Sequence, residues 1–344
     1  MSLAERLGTG PAVTLPEEHP DVAQWRHPTT ADIDAIHSLV AAADRVDHPT
    51  WTTTREEIAD EFALSHLAPA RDMLLATAAD GSVIAWGVTM LHPSREDGEL
   101  TVYHSGTVRP DLRRRGIGGR LFAWQHARGV AQLAEAAAEL DDGGRRGELK
   151  IYAEETNTGH RVLAESLGYA LARWFTSMVR DMAEPATTQD PSDGLEVVTY
   201  THDRDLDALA ARNDAFRDHW GSRPTDPERW LQFVGGTNFR PDLSRLVLDD
   251  GRIVAFCLAS VNEDDWESLG ATNSYIDLIG VVRSHRRRGL APLVVAHTLQ
   301  AIADDGLEKA VLDVDTASPT GANTLYERLG FTATERSIAL AMDV

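Results

Sequence analysis

One stretch decides the fold of this chain, and it reads Val281-Val282-Arg283-Ser284-His285-Arg286-Arg287-Arg288-Gly289-Leu290-Ala291. The apolar, β-branched run 275–282 that leads into it is typical of a strand. The run after it has helical spacing, with apolar positions at Leu293, Val294, Ala296, Leu299 and Ile302. A strand, a basic glycine-containing turn and a helix bring free backbone N–H groups and a helix N-terminus to one point, which predicts an anion site.

This stretch has a twin at 108–118, Val-Arg-Pro-Asp-Leu-Arg-Arg-Arg-Gly-Ile-Gly. Arg113 to Gly116 recurs 173 residues later as Arg286 to Gly289, and the run starting at Asp32 recurs at the same offset from Asp205. The Asp-Gly pair at 80–81 and the Leu-Gly-aromatic triplet at 167–169 also recur in order, at 250–251 and 329–331. Four ordered matches predict an internal duplication of about 170 residues.

The duplication predicts a tail at 1–21, a first domain at 22–182, a linker at 183–194 and a second domain at 195–344. The linker has two prolines and no apolar periodicity. Each copy reads as a strand, two helices, a β-hairpin, a strand, the basic turn, a long helix, a strand, a helix and a strand. This order predicts an α/β (α+β) fold with a mixed sheet and helices on its faces.

Charge and cysteine content narrow the class of protein. The chain has 344 residues, with 33 Lys and Arg against 54 Asp and Glu, a formal charge of −21. The electrostatic field of this negative charge repels nucleic acid and anionic membrane surfaces and attracts cationic amines. Cys257 is the only cysteine, so no intrachain disulfide forms, which favours the cytoplasm. The first 20 residues resemble neither a signal peptide nor a membrane span, and no Cys/His/Asp spacing predicts a metal site.

Both basic turns fit the pattern R-x-x-G-x-G/A, through Arg113, Gly116 and Gly118 and through Arg286, Gly289 and Ala291. This pattern resembles the acyl-CoA-binding signature of the GCN5-related N-acetyltransferase (GNAT) superfamily, whereas the P-loop and dinucleotide fingerprints do not fit. An ordinary βα turn with exposed arginines could carry the same residues once, but a second copy favours the signature. The resemblance covers nearly the whole chain.

The resemblance implies two tandem GNAT domains, acetyl-CoA as cofactor, and transfer of an acetyl or short acyl group to an amine on a small molecule. It leaves a monomer or a homodimer open. The tandem arrangement also resembles mycothiol synthases, which acetylate a cysteinyl amine, and that reaction is one alternative. A non-catalytic acyl-CoA-binding or regulatory protein is the other.

The end of the second copy resembles the closing segment of the family, with Leu325-Tyr326-Glu327-Arg328-Leu329-Gly330-Phe331. The resemblance implies that Tyr326 protonates the leaving thiolate, since a phenol of pKa near ~10 stays protonated at neutral pH. Packing on a helix face is the alternative role. Asp277 is the first candidate for the base that deprotonates the amine, Asp313 and Asp315 are the second, and a water relay is also open.

The resemblance also implies which residues hold the cofactor. In the second copy these are Ile279, Gly280, Val281, Arg286, Arg287, Arg288, Gly289, Leu290, Ala291 and Asn323. In the first copy they are Gly106, Thr107, Val108, Arg113, Arg114, Arg115, Gly116, Ile117, Gly118 and Asn157.

The two copies differ where the chemistry is expected. The first has Ala164 at the position of Tyr326 but keeps Asn157, whereas the second has Pro319 at the corresponding position, with Asn323 nearby. A proton donor is harder to replace than a binding contact, so the second copy is predicted to be catalytic and the first degenerate. His219 and Trp220, just after the first helix of the second copy, are predicted to line the acceptor pocket.

Overall fold

A computed structural model describes residues 1–48, 51–184, 187–192, 194–317 and 321–344. The chain forms two compact units. The first unit consists of Met1–Arg173 and Ser337–Val344, and the second unit of Trp174–Arg336. The units are both mixed α/β structures, as the duplicated pattern predicts.

The first unit contains six helices and parts or all of seven strands among the described residues. They are α1 (Leu3–Leu7), β1 (Gln24–Arg26), α2 (Ile33–Asp47), α3 (Arg55–Ala63), α4 (Pro69–Asp72), β2 (Met73–Thr77), β3 (Val83–Leu91), β4 (Glu99–Val108), α5 (Ile117–Ala138), β5 (Arg146–Glu154), α6 (Thr158–Ser166), the first residues of β6 (Ala170–Asp181), and the end of β12 (Thr332–Asp343).

The second unit contains the rest of β6 and of β12. Between them, in the described ranges, lie β7 (Leu195–Thr199), α7 (Asp205–Ala215), α8 (Pro227–Gly235), β8 (Arg245–Asp249), β9 (Arg252–Ser260), α9 (Asp265–Leu269), β10 (Asn273–Val281), α10 (Leu290–Asp304), β11 (Lys309–Asp315) and α11 (Ala322–Arg328).

Each unit has a sheet in which one neighbouring pair of strands is parallel. In the first unit the pairing runs β1-β2-β3-β4-β5, with β4 and β5 parallel and the other pairs antiparallel. In the second unit it runs β7-β8-β9-β10-β11, with β10 and β11 parallel. The repeated parallel pair follows from the long helix that returns the chain across the sheet, α5 in the first unit and α10 in the second.

Helices cover both faces of each sheet because both faces are apolar. In the second unit, α10 packs Val294, Val295 and Leu299 into a cluster with residues of β8 to β11. On the other face, α7 and α8 pack Leu209 and Trp230 against β8 and β9. A Val or Leu side chain buried in this way stabilises the fold by about 1.5–3 kcal/mol relative to an exposed one.

In each unit, the last strand of the sheet comes from the other predicted domain. Ser337–Asp343 pairs with β5 and completes the sheet of the first unit. The strand before the predicted linker, at 174–181, pairs instead with β11 in the second unit. The compact units therefore differ from the predicted domains at 22–182 and 195–344, because the repeat marks duplicated sequence while hydrogen bonding decides which strand completes which sheet.

The predicted tail at 1–21 is part of the first unit. Leu3 is completely buried, and the backbone N–H groups of Leu3 and Ala4 donate to the carbonyls of Gly144 and Gly143 at 3.0 and 2.8 Å. His19 Nε2 lies 2.7 Å from the carbonyl of Arg115. The loop between α5 and β5, which carries Gly143 and Gly144, thus receives the N-terminal helix α1.

The strand pairing predicts how fragments of the chain behave. A fragment of residues 174–336 keeps all the strands of the second unit that pair with β11 and β10. A fragment of residues 195–344 loses the partner of β11 and retains Ser337–Asp343 without β5. We expect the second fragment to melt about 10 °C or more below the first, or to aggregate through its open sheet edge.

Thermal unfolding followed by circular dichroism, with size-exclusion chromatography, measures this difference. Equal melting temperatures for two monomeric fragments would contradict the assignment of 174–181 to the second unit.

Candidate active site

The basic turns have the backbone shape of an anion cradle in both copies. In the second copy Arg286 is extended, Arg287 has φ 63° and Gly289 has φ 76°, and α10 begins at Leu290. In the first copy Arg113 is extended, Arg114 has φ 64° and Gly116 has φ 95°, before α5. Left-handed residues at alternate positions turn successive N–H groups toward one concave point.

The helices that start at these turns have no side-chain cap among the described residues. By contrast, Thr54 caps α3 and Asp226 caps α8. The first N–H groups of α5 and α10 are therefore available to an anion, with the positive end of the helix dipole behind them. In α10 the donors end at Ala291, because Pro292 has no N–H.

The three arginines of the second cradle have different roles in the structure. Arg286 donates to Asp218 and to the carbonyl of Ala215, at 2.9 and 2.8 Å. Arg288 lies 3.7 Å from Asp249. Arg287 is exposed and forms no ion pair within the described ranges. Of the predicted arginines, Arg287 is thus the one whose guanidinium is available to a phosphate.

The first cradle distributes its arginines in the same way. Arg113 forms two hydrogen bonds with Asp47, at 2.7 and 2.6 Å, and Arg115 lies 3.4 Å from Asp21. Arg114 is exposed and has no ion pair among the residues that the structure describes. The repeat therefore preserves the role of each arginine as well as its position.

An opening forms between β10 and β11. The two strands pair only from Asn273 to Tyr275, and β10 then continues to Val281 beside β9 alone. The pairing of β10 with β9 shifts register between Ile276 and Leu278, so Asp277 is an extra, bulged residue. A bulge bends its strand locally. In the first copy β4 and β5 also stop pairing, after His104 and Ile151, without a bulge.

The opening exposes backbone groups that the sequence predicted as cofactor ligands. The N–H of Val282 donates to Val254 in β9 at 3.0 Å. Strand groups alternate in direction, so the N–H of Gly280 also faces β9, whereas those of Ile279 and Val281 face the opening. Gly280 matters in another way: a Cβ there would lie 2.2 Å from the Phe256 ring.

The predicted acid, Tyr326, lies on α11, and the predicted base, Asp277, lies at the bulge of β10. Tyr326, on α11, is 8% exposed, and its ring lies 6.0 Å from that of Phe331. Burial raises the pKa of its phenol, and the Cys257 thiol raises it further, so the phenol is protonated at neutral pH. Ser260 donates to the Asp277 carboxylate at 2.7 Å and thereby orients it.

Cys257 links these two groups electrostatically. Its thiol is fully buried, which raises its pKa to about 12, and the Asp277 carboxylate contributes to that increase. The thiol is therefore neutral and packs as a small apolar group in the core of the second unit.

The first copy lacks these features at the corresponding positions. Ala164 is buried where the second copy has Tyr326. His104 is the counterpart of Asp277, and burial, followed by the nearby His126, lowers its pKa to about 3. The β3–β4 pairing keeps a continuous register past His104, so no bulge forms.

The interior of the first copy is also filled. Gln125 donates to the carbonyls of Val88 and Ser105 at 2.9 and 2.7 Å. A Cβ on Gly118 would lie 3.4 Å from Leu163.

The predicted backbone ligands in the first copy follow the same alternation as those of the second. The N–H of Arg109 donates to Ile84, so that of Thr107 faces β3, while those of Gly106 and Val108 face away from β3. The carbonyl of Val108 is taken by Arg113 Nε at 3.0 Å.

The two predicted asparagines differ in what they contact. Asn157 caps α6, since its side-chain oxygen accepts from the N–H of His160 at 3.3 Å. Asn323 donates to the carbonyl of Thr316 at 3.3 Å, and its side-chain oxygen is shielded with no partner in the described part of the chain. Pro319 lies outside the described residues. Asn323 thus has an unused acceptor suited to an amide group of a ligand.

His219 and Trp220 lie in the loop after α7. The Trp220 ring is 6.4 Å from that of Phe175, and His219 Nδ1 is 3.1 Å from the carbonyl of Trp220.

Asp313, the second base candidate, accepts hydrogen bonds from Ser177 and from the hydroxyl of Tyr275. The buried Asp315 accepts from the N–H of Ala317 at 2.9 Å and shapes a turn.

The sequence interpretation missed Asp214 and Asp218. Asp214 accepts from the N–H of Arg283 at 2.8 Å, and Asp218 accepts from Arg286. A signal for Asp218 was present, because the repeat aligns it with Asp47.

No group of three or more metal-ligating side chains occurs among the described residues. Nor is any helix in those ranges long and apolar enough to cross a membrane.

Comparison with known proteins finds relatives over most of the chain. Residues 207–331 match the Acetyltransferase (GNAT) family. The mycothiol acetyltransferase of Thermobispora bispora is 29% identical over 310 residues, covering 88% of this chain and 94% of the relative. That of Streptomyces griseus subsp. griseus is 31% identical over 234 residues, covering 66% of this chain and 67% of the relative.

Solved structures agree at the level of the fold. A GCN5-related N-acetyltransferase from Sphaerobacter thermophilus has a TM-score of 0.66 and 24% identity, covering 93% of this chain and 95% of its own. A tandem GNAT protein from the clavulanic acid biosynthesis pathway has a TM-score of 0.64 and 15% identity, covering 93% of this chain and 98% of its own. The chain belongs to the GNAT family as a tandem member of mycothiol-synthase-like architecture, and it is an N-acetyltransferase that transfers the acetyl group of acetyl-CoA to an amine.

Proposed function

We propose that acetyl transfer takes place in the second copy, at the opening between β10 and β11, and that the first copy is non-catalytic. The observation that carries this proposal is the asymmetry of the two openings. Tyr326, Asp277 and the bulge belong to the second, whereas Ala164, His104 and a regular strand stand at the same positions of the first.

In this proposal the second cradle holds the pyrophosphate of acetyl-CoA, which supplies an acetyl thioester to the site. The N–H groups of Gly289, Leu290 and Ala291 and the guanidinium of Arg287 bind phosphate oxygens. The N–H groups of Ile279 and Val281 face the opening, where they can polarise the thioester carbonyl and stabilise negative charge on its oxygen. Asn323 supplies an amide acceptor.

The proton transfers are assigned to the two groups at the opening. Asp277, directly or through a water molecule, takes a proton from the amine whose nitrogen forms the new bond to the acetyl carbon. Tyr326 donates its hydroxyl proton to the sulfur as the carbon–sulfur bond breaks. Burial raises the pKa of Tyr326, so the phenol holds its proton at neutral pH and has it available for donation.

A small-molecule amine is the proposed acceptor, with His219 and Trp220 lining its pocket. Mycothiol-type acetylation of a cysteinyl amine is the favoured case, because the relatives named above are mycothiol acetyltransferases over most of their length. The net charge of −21 suits a cationic acceptor. The cytoplasm and a monomeric or homodimeric state stay predictions from the sequence.

Tyr326→Phe tests the general acid. We expect turnover to fall about 100-fold or more, with acetyl-CoA affinity within about threefold of wild type, because only the transferred proton is lost. Release of CoA thiol on a panel of small amines measures turnover, and calorimetry measures affinity. Tyr169→Phe, in the first copy, is the matched control and should keep full turnover. Wild-type turnover in Tyr326→Phe would end this role.

Asp277→Asn tests the base. We expect kcat/KM to fall at pH 7 and to recover partly as the pH rises toward 9, because more of the amine is then already deprotonated. Asp313→Asn distinguishes the two carboxylates, since the proposal assigns it no proton transfer. A pH–rate profile that changes in Asp313→Asn and not in Asp277→Asn would transfer the role to Asp313.

Arg287→Ala tests the choice of cradle. Loss of an exposed charge-assisted bond to phosphate weakens binding by about 1.4 kcal/mol, a rise of about tenfold in the Kd for acetyl-CoA. Arg114→Ala makes the same change in the first cradle and should leave turnover unaffected. If Arg114→Ala lowered kcat/KM as much as Arg287→Ala, the catalytic cofactor would have to bind in the first copy.

A further inference from the structure

The end of α7 and the loop after it hold the cradle of the second copy through Asp218. One oxygen of Asp218 is 2.9 Å from Arg286 Nη1 and 3.3 Å from Arg283 Nε. Asp214 and the carbonyl of Ala215 add bonds to the same two arginines, at 2.8 Å each. The turn that forms the cradle is therefore attached to α7 at several points.

The loop that carries Asp218, residues 216–223, is here called the acceptor loop. Arg212 of α7 holds the end of this loop, because it donates to the carbonyl of Arg223 at 2.7 Å and to Ser222 Oγ at 3.3 Å. Inside it, the N–H of His219 donates to Phe216 at 2.9 Å and that of Ser222 to His219 at 3.1 Å. A change at Asp218 therefore reaches His219 and Trp220, which follow it directly in this loop.

The first copy has the same contact between an aspartate and the first arginine of the cradle, but the residue after the aspartate has a different partner. Asp47 bonds Arg113 twice, while the next residue, His48, lies 3.2 Å from Glu154. The aspartate and its arginine are thus the part that the two copies share. The ion pairs of Asp218 are partly exposed and add little stability, at about 0–1 kcal/mol each, so their main effect is to orient the groups they join.

We propose that Asp218 is a positioning residue that couples occupancy of the cradle to the order of the acceptor loop. This inference rests on the proposed function of the second copy. A phosphate bound at Arg287–Ala291 immobilises the turn, and Asp218 transmits that order from Arg283 and Arg286 to His219 and Trp220. Because coupling between two sites is reciprocal, each substrate binds more tightly when the other is in place.

Hydrogen exchange of the full-length protein with and without CoA tests the coupling. We expect CoA to slow exchange about fivefold or more both at residues 287–294 and in the acceptor loop of the wild type. In Asp218→Asn, CoA should still slow exchange at 287–294 but no longer in the loop. The matched control is Asp249→Asn, since Asp249 contacts the same turn at His285 and Arg288 from β8. This control should behave as the wild type does.

A purely structural role for Asp218 would speed exchange of the loop without CoA and leave the CoA-dependent difference intact, and that result overturns the proposal. So does protection of 287–294 without protection of the loop in the wild type, which leaves the cofactor assignment standing. Absence of CoA protection at 287–294 in the wild type would overturn the cradle assignment together with the coupling.

Discussion

The site proposed for the second unit depends on the point where β10 stops pairing with β11. Up to Tyr275 the parallel pair satisfies its backbone groups in the usual way. The extra residue at Asp277 then bends β10, and the N–H groups of Ile279 and Val281 face an opening instead of a strand. Unpaired backbone donors are costly in a protein interior, so such an opening is a natural place for a carbonyl ligand. The bulged residue, Asp277, has its carboxylate held by Ser260 of β9.

The two copies share the cradle and differ in the strand that precedes it. Both turns have the same φ pattern, the same clamped first arginine and the same exposed middle arginine. Only the second is preceded by a bulged strand and has a tyrosine at position 326, where the first copy has Ala164. In the first copy, Gln125 donates to one carbonyl of β3 and one of β4, and a neutral His104 packs near the ring of Tyr169. Duplication thus kept the outer turn, which shapes the fold, while the interior was free to diverge.

Completion of the sheets explains why the compact units are not the sequence repeats. The last strand of a sheet needs only a partner edge of matching register and an apolar face, and both copies offer such an edge. The segment 174–181 pairs with β11, and Ser337–Asp343 pairs with β5. Each copy consequently depends on a strand that lies beyond its own repeat. Local sequence carries no information about this choice, because the two strands have similar alternation.

The sequence by itself determined the duplication, the mixed α/β class, the cradles and their glycines, and the family with its acetyl-CoA dependence. These follow from short-range constraints: a left-handed residue at Gly289, apolar periodicity, and residues that must stand at fixed spacing. Only the tertiary structure decided which strand completes each sheet, which arginine stays available, and that Gly280 faces β9. It also brought Asp218, 68 residues before Arg286 in the chain, against the cradle. Those outcomes depend on strand register and on contacts between distant segments, which periodicity along one chain does not encode.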